Sequence, residues 1–256
     1  MNWSLVVASN SDEVLRSTLL SSPDLQASAD VLVQRGFPSA SAAYNDGIYR
    51  TEGEIIIFPH QDVYLPAGWI AALSESVAWL NSHDPDWAVA GVFGIDAKGV
   101  GKGWVYSTGL RSIVGQGFDR PAPVRSLDEL ILIVRRSAGV FFDEKLPGFH
   151  LYGTDICLEA ARRGCRAYVL PCFCIHNANG IRFLPWSYWK SFIYMRRKWR
   201  RELPIVTPCM TISPWGWPAV RYIIHRWLLL VCGRVGVGTR VQNPAQLYST
   251  LTAYEK

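Results

Sequence analysis

Short apolar runs alternate with stretches of helical periodicity through the first half of the chain, and this alternation constrains the fold more than any other feature. The apolar runs are bounded by polar, proline or glycine residues, as buried strands are. Strands are predicted over residues 5–8, 31–33, 54–58, 88–92 and 130–134, and helices over 39–49 and 67–80. Because alternating strands and helices build a mostly parallel sheet with helices on both faces, we predict an α/β domain.

Two further elements are predicted in the third quarter of the chain. A helix begins near Asp155, with Thr154 or Asp155 as its N-cap, and Gly164 suits its C-terminal end. Residues 167–175 form a single predicted strand, which presents His176 at its end. Ligands of open α/β sheets lie beyond the carboxyl ends of the strands, so a polar residue at such an end is a candidate for function.

Composition excludes several classes of protein. A hydrophobic content of 49% with only 18% charged residues is that of a globular domain and excludes a disordered chain. The net charge of +5 is too small to indicate a nucleic-acid-binding protein. The six cysteines lack the spacing of a disulfide scaffold, and residues 1–4 run directly into a strand without a signal peptide, so we expect reduced thiols in a cytoplasmic protein. The apolar run over residues 227–232 is too short to span a bilayer.

Three polar residues at predicted element ends carry the candidate chemistry. Asp62 follows the strand at 54–58, and His176 follows the strand at 167–175. An aspartate and a histidine are ligands for Mn²⁺, and an aspartate also suits Mg²⁺. Asp155, in a first helical turn, would remain ionised because the helix dipole favours the anion, so it is the candidate general base.

Each of these residues also has a purely structural interpretation. Asp62 can be a turn residue, Asp155 a helix cap and His176 a hydrogen-bonded strand end. Cys172 and Cys174 alternate with His176, which raises a zinc site as an alternative. Structural zinc sites usually take their cysteine pairs from turns, so small apolar cysteines that pack a buried strand are the favoured interpretation.

An ordered set of motifs resembles the inverting glycosyltransferases of family 2, which have the GT-A fold. The match runs from the first strand to His176. It comprises the Ser9-Asn10 loop and residues 43–48, 60–66, 68–69, 142–144, 148–158, 161–165 and 171–176. The resemblance implies transfer of a sugar from a nucleotide-sugar donor to a hydroxyl of a glycan or lipid-linked acceptor, with inversion and with Mn²⁺ or Mg²⁺ as cofactor.

The resemblance also assigns roles to individual residues. It implies that Asp62 is the last acid of the family's metal motif, that His176 is a metal-side histidine, and that Asp155 is the catalytic base. It places Ser9, Asn10, Asn45, His60 and Gln61 in the donor pocket and His150 and Tyr152 on the acceptor side. The chain departs from the family at His60, which stands where the first acid of the metal motif is expected.

Two other functional classes are weighed against this one. A sugar nucleotidyltransferase on a related fold normally has a glycine-rich loop with Arg or Lys after the first strand, and residues 9–12 have none of these. A non-catalytic nucleotide-sugar or membrane-surface binding protein has no need of a base, so the set of Asp62, Asp155 and His176 favours an enzyme.

The chain changes character after Pro185, where Trp, Tyr and Arg become frequent. We therefore predict a catalytic domain over residues 1–182 and an extension over 183–256. Aromatic rings favour the membrane interface and basic side chains are attracted to anionic lipid, so one hypothesis places the extension on the inner face of a membrane. In the alternative, the aromatic residues pack on the catalytic domain and line the acceptor groove, while the arginines at 196–201 are solvated.

Overall fold

The computed structural model describes residues 1–26, 30–232 and 237–253. The strands are β1 (Trp3–Ala8), β2 (Val31–Gln34), β3 (Ile55–Pro59), β4 (Val63–Tyr64), β5 (Trp87–Gly91), β6 (Phe93–Ile95), β7 (Gly101–Ser107), β8 (Ser112–Gly115), β9 (Ala122–Val124), β10 (Ser126–Leu127), β11 (Ile131–Arg135), β12 (Arg166–Val169), β13 (Cys174–His176), β14 (Ile205–Val206) and β15 (Thr211–Ile212). The helices are α1 (Asp12–Ser17), α2 (Pro23–Gln26), α3 (Ala40–Arg50), α4 (Trp69–His83), α5 (Tyr152–Arg162), α6 (Trp186–Lys198), α7 (Trp217–Val231) and α8 (Pro244–Ala253).

The central sheet has seven strands in the order β2-β1-β3-β11-β5-β12-β9. Strands β2, β1 and β3 are parallel, and β12 is parallel to β5. Strand β11 is inserted between β3 and β5 and is antiparallel to both. The five strands predicted between residues 5 and 134 are thus confirmed within one or two residues at each end. Strands β2, β1, β3, β5 and β12 run in one direction, as expected for a mostly parallel sheet, and β11 and β9 run in the other.

Two apolar cores cover the two faces of this sheet. Successive side chains of a strand point to opposite faces. In β1, Val6 joins the core formed with α3, α5 and α6, whereas Leu5 and Val7 join the core formed with α4. All three side chains are fully buried. Because successive side chains of β1 enter different cores, its sequence is a continuous apolar run, as is typical of a sheet covered on both faces.

A second sheet lies beyond the first and corrects one prediction. Its order is β10-β6-β7-β13-β4, with β8 paired to β7. The single strand predicted over residues 167–175 is wrong, because the chain forms β12 in the central sheet and β13 in the second one. Pro171 separates them, and a proline cannot donate a ladder hydrogen bond. The change of sheet carries His176 away from the edge where β12 alone would have left it.

The start of α5 corrects a second prediction. The helix begins at Tyr152, and its N-cap is Leu151, which adopts a left-handed conformation with φ of 66°. No side chain of the described residues caps this end, so neither Thr154 nor Asp155 is an N-cap. Asp155 lies one turn further in, and its backbone N–H already bonds to the carbonyl of Leu151.

The region after residue 183 divides into two parts. Helix α6 buries Tyr188, Phe192 and Met195 in the core that it shares with α3 and α5. Helix α7, in contrast, contains no buried residue within the described chain. None of the described helices is long and apolar enough to cross a bilayer. The extension predicted to begin at residue 183 therefore starts with α6, a helix that packs in the core of the α/β domain.

Gly47 is required by the contact between α3 and β1. A Cβ atom at this position would lie 2.3 Å from Cγ1 of Val6, which is fully buried. Glycine costs a helix about 1 kcal/mol relative to alanine, so its presence in the middle of α3 needs such a reason. The glycine allows the helix to approach the sheet closely.

We predict that Gly47→Ala destabilises the protein by about 1–3 kcal/mol, because overpacking against Val6 outweighs the gain in helix propensity. Urea unfolding of Gly47→Ala, Val6→Ala and the double variant measures this. Since Val6→Ala removes the clashing methyl groups, the cost of Gly47→Ala should largely disappear in that background. Equal costs in both backgrounds would contradict the close contact.

Candidate functional site

Three side chains converge where β3 ends and β13 ends. His60 and Asp62 follow β3, and the antiparallel pairing of β4 with β13 places His176 opposite Val63. The N–H of Asn177 donates to the Asp62 carbonyl at 2.8 Å, which fixes this register next to the site. One potential ligand atom from each of His60, Asp62 and His176 lies within 4.8 Å of the other two. This spacing fits a single metal ion.

The charge states of this cluster also fit a cation. Although burial opposes ionisation, the His176 imidazole, whose Nε2 lies 3.6 Å from an Asp62 oxygen, and the positive charge of Arg240 hold the pKa of Asp62 well below its usual value. Burial lowers the pKa of His60, so its imidazole is neutral near pH 7. Metal ligation needs an ionised carboxylate and a neutral imidazole, and the site favours both.

His60, which the resemblance assigns to a donor pocket, therefore lies with Asp62 and His176. Its Nε2 atom is 2.9 Å from the hydroxyl of Tyr152, at the start of α5. Such a contact fixes the orientation of a ligating imidazole. Where the resemblance leads one to expect an acid, this chain has an imidazole that lies beside Asp62 and His176.

Arg240 is a site residue that the sequence did not indicate. Its guanidinium group donates to the Asp62 carboxylate at 3.3 Å and to the Asn177 carbonyl at 2.8 Å. The segment is held in place because Asn177 also exchanges hydrogen bonds with the backbone of Val241. An isolated arginine after a glycine-rich stretch has no local signal of function. Only folding brings Arg240 next to the cluster of His60, Asp62 and His176.

A cavity of about 420 Å³ opens beside the three clustered side chains. It is lined by Ala8, Ser9, Asn10, Gln34, Gly36, Phe37, Tyr44, His60, Gln61, Asp62, Phe149, His150 and Tyr152. It lies beyond the carboxyl ends of β1, β2 and β3, where ligands of open α/β sheets bind. The structure thus brings six of the residues assigned from the resemblance, together with Asp62, to the lining of one cavity.

Gln61 organises the loop after β1. Its side-chain oxygen accepts from the Ser9 hydroxyl at 2.8 Å and from the backbone N–H groups of Asn10 and Ser11 at 3.1 Å. Its side-chain nitrogen donates to the Asn10 side chain. The loops after β1 and β3 are therefore joined into one polar wall of the cavity.

His150 and Tyr152 form the opposite side of the cavity. The Nε2 atom of His150 lies 3.2 Å from the hydroxyl of Ser187, at the start of α6. Burial and the neighbouring His60 lower the pKa of His150. Burial raises the pKa of Tyr152 well above its usual value, so this phenol stays protonated. The wall thus holds one neutral imidazole and one neutral phenol.

Asp155 does not line the cavity. Its carboxylate accepts from Lys198 at 2.7 and 2.9 Å and from the indole N–H of Trp199 at 2.7 Å, and the residue is 1% exposed. Lys198 also contacts Asp143 and Glu159. Asp155 therefore anchors α6 to α5, and its contacts do not favour the predicted role of a general base.

Asn45 is likewise occupied by structural contacts. Its amide nitrogen donates to the Phe142 carbonyl at 2.9 Å and to Glu144, and its oxygen accepts from the Phe142 N–H. It is buried in α3 and is not among the residues that line the cavity. Its expected place in the donor pocket remains a prediction, and its observed contacts fix the segment that precedes α5.

Two acids at the start of β11 were not singled out from the sequence. Burial and the adjacent Asp128 raise the pKa of Glu129 to about 8. The Glu129 carbonyl accepts from the Tyr152 hydroxyl at 3.3 Å, and the Leu130 carbonyl accepts from the His60 N–H. The backbone carbonyls of Glu129 and Leu130 therefore support Tyr152 and His60.

The zinc alternative is not supported by the described residues. Cys172 and Cys174 are buried in the core that contains α4, and burial raises the pKa of Cys172 to about 12. The group of potential metal ligands in the described chain contains His176 but neither cysteine. The two thiols pack as small apolar side chains.

Comparison with known proteins gives a relative by sequence. No protein-family model matches the chain. A Fuscovulum blasticum protein named ATP synthase subunits region ORF 6 is 34% identical over 160 residues, which are 60% of this chain and 63% of that protein. The alignment thus spans less than two thirds of the relative's length.

Solved structures show the fold. GalNAc-T7 with UDP, GalNAc and Mn²⁺ superimposes with a TM-score of 0.53 at 13% identity, over 80% of this chain and 52% of that chain. The TarS 1-349 fragment of S. aureus with UDP-GlcNAc superimposes with a TM-score of 0.52 at 15% identity, over 77% of this chain and 65% of that one. The chain spans about half the length of GalNAc-T7. The central sheet, in which β11 lies antiparallel between β3 and β5, together with these neighbours, shows that the chain has the predicted GT-A fold.

Proposed function

We propose that the protein is a metal-dependent glycosyltransferase. It would transfer a sugar from a nucleoside-diphosphate sugar to a hydroxyl of a glycan or lipid-linked acceptor, with inversion of the anomeric centre. The observation that carries the proposal is the cluster of His60, Asp62 and His176 at the rim of the cavity, beyond the carboxyl ends of the strands of a GT-A fold. The solved neighbours that contain UDP or UDP-GlcNAc support this choice of donor class.

The ligand set favours Mn²⁺ over Mg²⁺. Two imidazoles and one carboxylate suit a borderline metal, whereas Mg²⁺ prefers an all-oxygen environment. When bound, the metal would neutralise the charge that develops on the leaving diphosphate. Arg240 lies against Asp62, so its guanidinium group is placed to add a second positive charge for the same diphosphate.

The polar wall suits the rest of the donor. Ser9, Asn10 and Gln61 offer hydroxyl and amide groups, which can hydrogen-bond to a ribose or a base. Their mutual hydrogen bonds hold these groups in place before a ligand enters. A site organised in this way loses less entropy on binding than one built from free side chains.

His150 is the best-placed general base. Five of the described residues that line the cavity are titratable. Two of them, His60 and Asp62, are proposed metal ligands. Tyr44 and Tyr152 have raised pKa values and stay protonated. His150 remains, and its depressed pKa keeps the imidazole free to accept a proton near pH 7. As the acceptor oxygen bonds to the anomeric carbon, its proton passes to His150, and the bond to the diphosphate breaks with its electron pair.

The competing classes lack comparable support. A nucleotidyltransferase would need basic residues in the loop after β1, and that loop carries Ser9, Asn10 and Ser11. A non-catalytic binding protein would need neither the metal cluster nor a neutral imidazole on the opposite wall. A donor panel distinguishes the classes, because only a transferase releases a nucleoside diphosphate from a nucleotide sugar in the presence of Mn²⁺.

We predict that Asp62→Ala and His176→Ala each raise the dissociation constant for Mn²⁺ by at least about tenfold, since each removes one of three ligands. Calorimetric titration measures Mn²⁺ binding, and donor hydrolysis measures activity. Excess chelator should abolish hydrolysis by the unsubstituted protein. Asp119→Asn, at an exposed carboxylate, is the matched control. Full activity in chelator would contradict metal dependence.

We predict that His150→Gln lowers kcat about 100- to 10,000-fold, because glutamine keeps a polar side chain but cannot accept the proton. UDP affinity and thermal stability should be unchanged. For the unsubstituted protein, kcat should rise with pH and level off once His150 is neutral, at an apparent pKa below the ordinary histidine value. The groups that face the ring are His60, Ser187 and Tyr188. A loss below about fivefold would contradict this role.

We predict that Asp155→Asn acts on stability, because it weakens a buried ion pair with Lys198 while keeping an acceptor for Trp199. The expected cost is about 1–3 kcal/mol, measured by urea unfolding. The fraction that remains folded should retain turnover. If Asp155→Asn were as stable as the unsubstituted protein but lost turnover more than about 100-fold, Asp155 would be the base, as the resemblance implies.

A further inference from the structure

One face of α7 is an exposed apolar surface. Seven side chains form it, namely Trp217, Val220, Ile223, Ile224, Trp227, Leu228 and Val231. At 100° per residue they fall within one continuous arc of the helix. Trp217 is 64% exposed and Trp227 is 58% exposed. Contiguous exposed apolar patches are rare on soluble monomers and mark interaction surfaces.

The opposite face of α7 holds the helix on the protein. The Tyr222 hydroxyl accepts from the Leu184 N–H at 3.1 Å. Arg226 donates to the carbonyls of Ile181 and Arg182. Ala219 and Tyr222 pack against the core that contains α6. These contacts fix one face of the helix on the protein. The apolar face is exposed because the anchored helix is oriented that way, and not because the helix is frayed.

The charge around this face is strongly positive. Residues 177–256 contain twelve lysines and arginines but only two acids, Glu202 and Glu255, whereas residues 1–176 contain fourteen against nineteen. Arg221 and His225 flank the apolar face, and α7 itself has no acidic residue. Arg196, from α6, donates to the Pro214 carbonyl beside the start of α7.

From these observations we infer that α7 lies in the interface of an anionic membrane. An apolar face with tryptophans and flanking basic residues is the pattern of an interfacial helix. A second copy of this chain is a poorer occupant, because it would bring one positively charged surface against another. A helix of this length, anchored by one face to a folded domain, would lie on the bilayer rather than cross it.

A groove beside α7 fits the same partner. Its volume is about 650 Å³, and Met210, Trp217 and Tyr222 contribute apolar walls. Arg221 and His225 stand along it. An apolar trough with a basic rim suits an acyl chain and the phosphate of its head group. This surface deepens the proposed function, since it would place the cavity near a lipid-linked acceptor, although membrane docking itself does not depend on catalysis.

The two environments predicted for residues 183–256, packed core and membrane surface, belong to different helices. Helix α6 supplies aromatic residues to the core, as in the packing alternative. Helix α7 supplies the membrane surface. The relevant substitutions are therefore in α7, and because none of its described side chains is buried, they should leave folding intact.

Vesicle flotation of the full chain tests the inference. The protein should float with vesicles of phosphatidylcholine mixed with phosphatidylglycerol at low salt, and less with phosphatidylcholine alone or at high salt. Ile224→Glu combined with Trp227→Glu should lower the floated fraction about tenfold, because two charges enter the apolar face. Val100→Glu combined with Leu110→Glu, at equally exposed apolar sites outside α7, should float as the unsubstituted chain does.

Other outcomes would overturn the inference. If the chain fails to float with anionic vesicles, or if both glutamate pairs reduce flotation equally, α7 is not the membrane surface. Light scattering without lipid identifies the competing occupant, because a dimer that the α7 pair dissociates would show that a second copy covers this face. Donor hydrolysis in the same variants separates the two proposals: loss of flotation with retained hydrolysis leaves the glycosyltransferase proposal standing.

Discussion

The pairing of β4 with β13 is the contact on which the candidate site depends. It places His176 opposite Val63, and the Asn177 N–H donates to the Asp62 carbonyl at 2.8 Å. Without this register, the two metal-side residues would lie on separate sheets with no fixed distance. Because the chain leaves the central sheet after β12 and joins the second sheet as β13, the second sheet holds His176 at this edge of the site.

Two pairs of oppositely charged side chains hold other parts of the protein in place. Asp62 is held ionised near Arg240, which arrives from the far end of the chain. In the interior, Lys198 offsets the buried carboxylate of Asp155 and joins α6 to α5. Burying one charge without its partner costs several kcal/mol, so each pair fixes the position of its elements. The first pair lies at the site, and the second supports the wall that carries His150.

The region after residue 183 has two physical environments despite its uniform composition. Helix α6 buries Tyr188, Phe192 and Met195, and α7 exposes its apolar face. Both helices are rich in aromatic and basic residues, so composition alone does not separate them. The difference comes from which face each helix turns to the α/β domain. In α6 that face is apolar, whereas in α7 it is formed by Tyr222, Arg226 and small side chains.

The sequence by itself determined the α/β class and the positions of five of the seven strands of the central sheet, and it predicted Asp62 and His176 as site residues, because strand periodicity and polar residues at strand ends are local patterns. It also carried the resemblance that implied the GT-A fold, and the structure confirms that fold. Only the tertiary structure decided that His60 lies with Asp62 and His176, that Asp155 faces Lys198, and that Arg240 reaches the site. These facts depend on strand order, on the direction of a side chain around α5, and on contacts between distant segments. No local pattern encodes them, because they arise only when separate elements pack together.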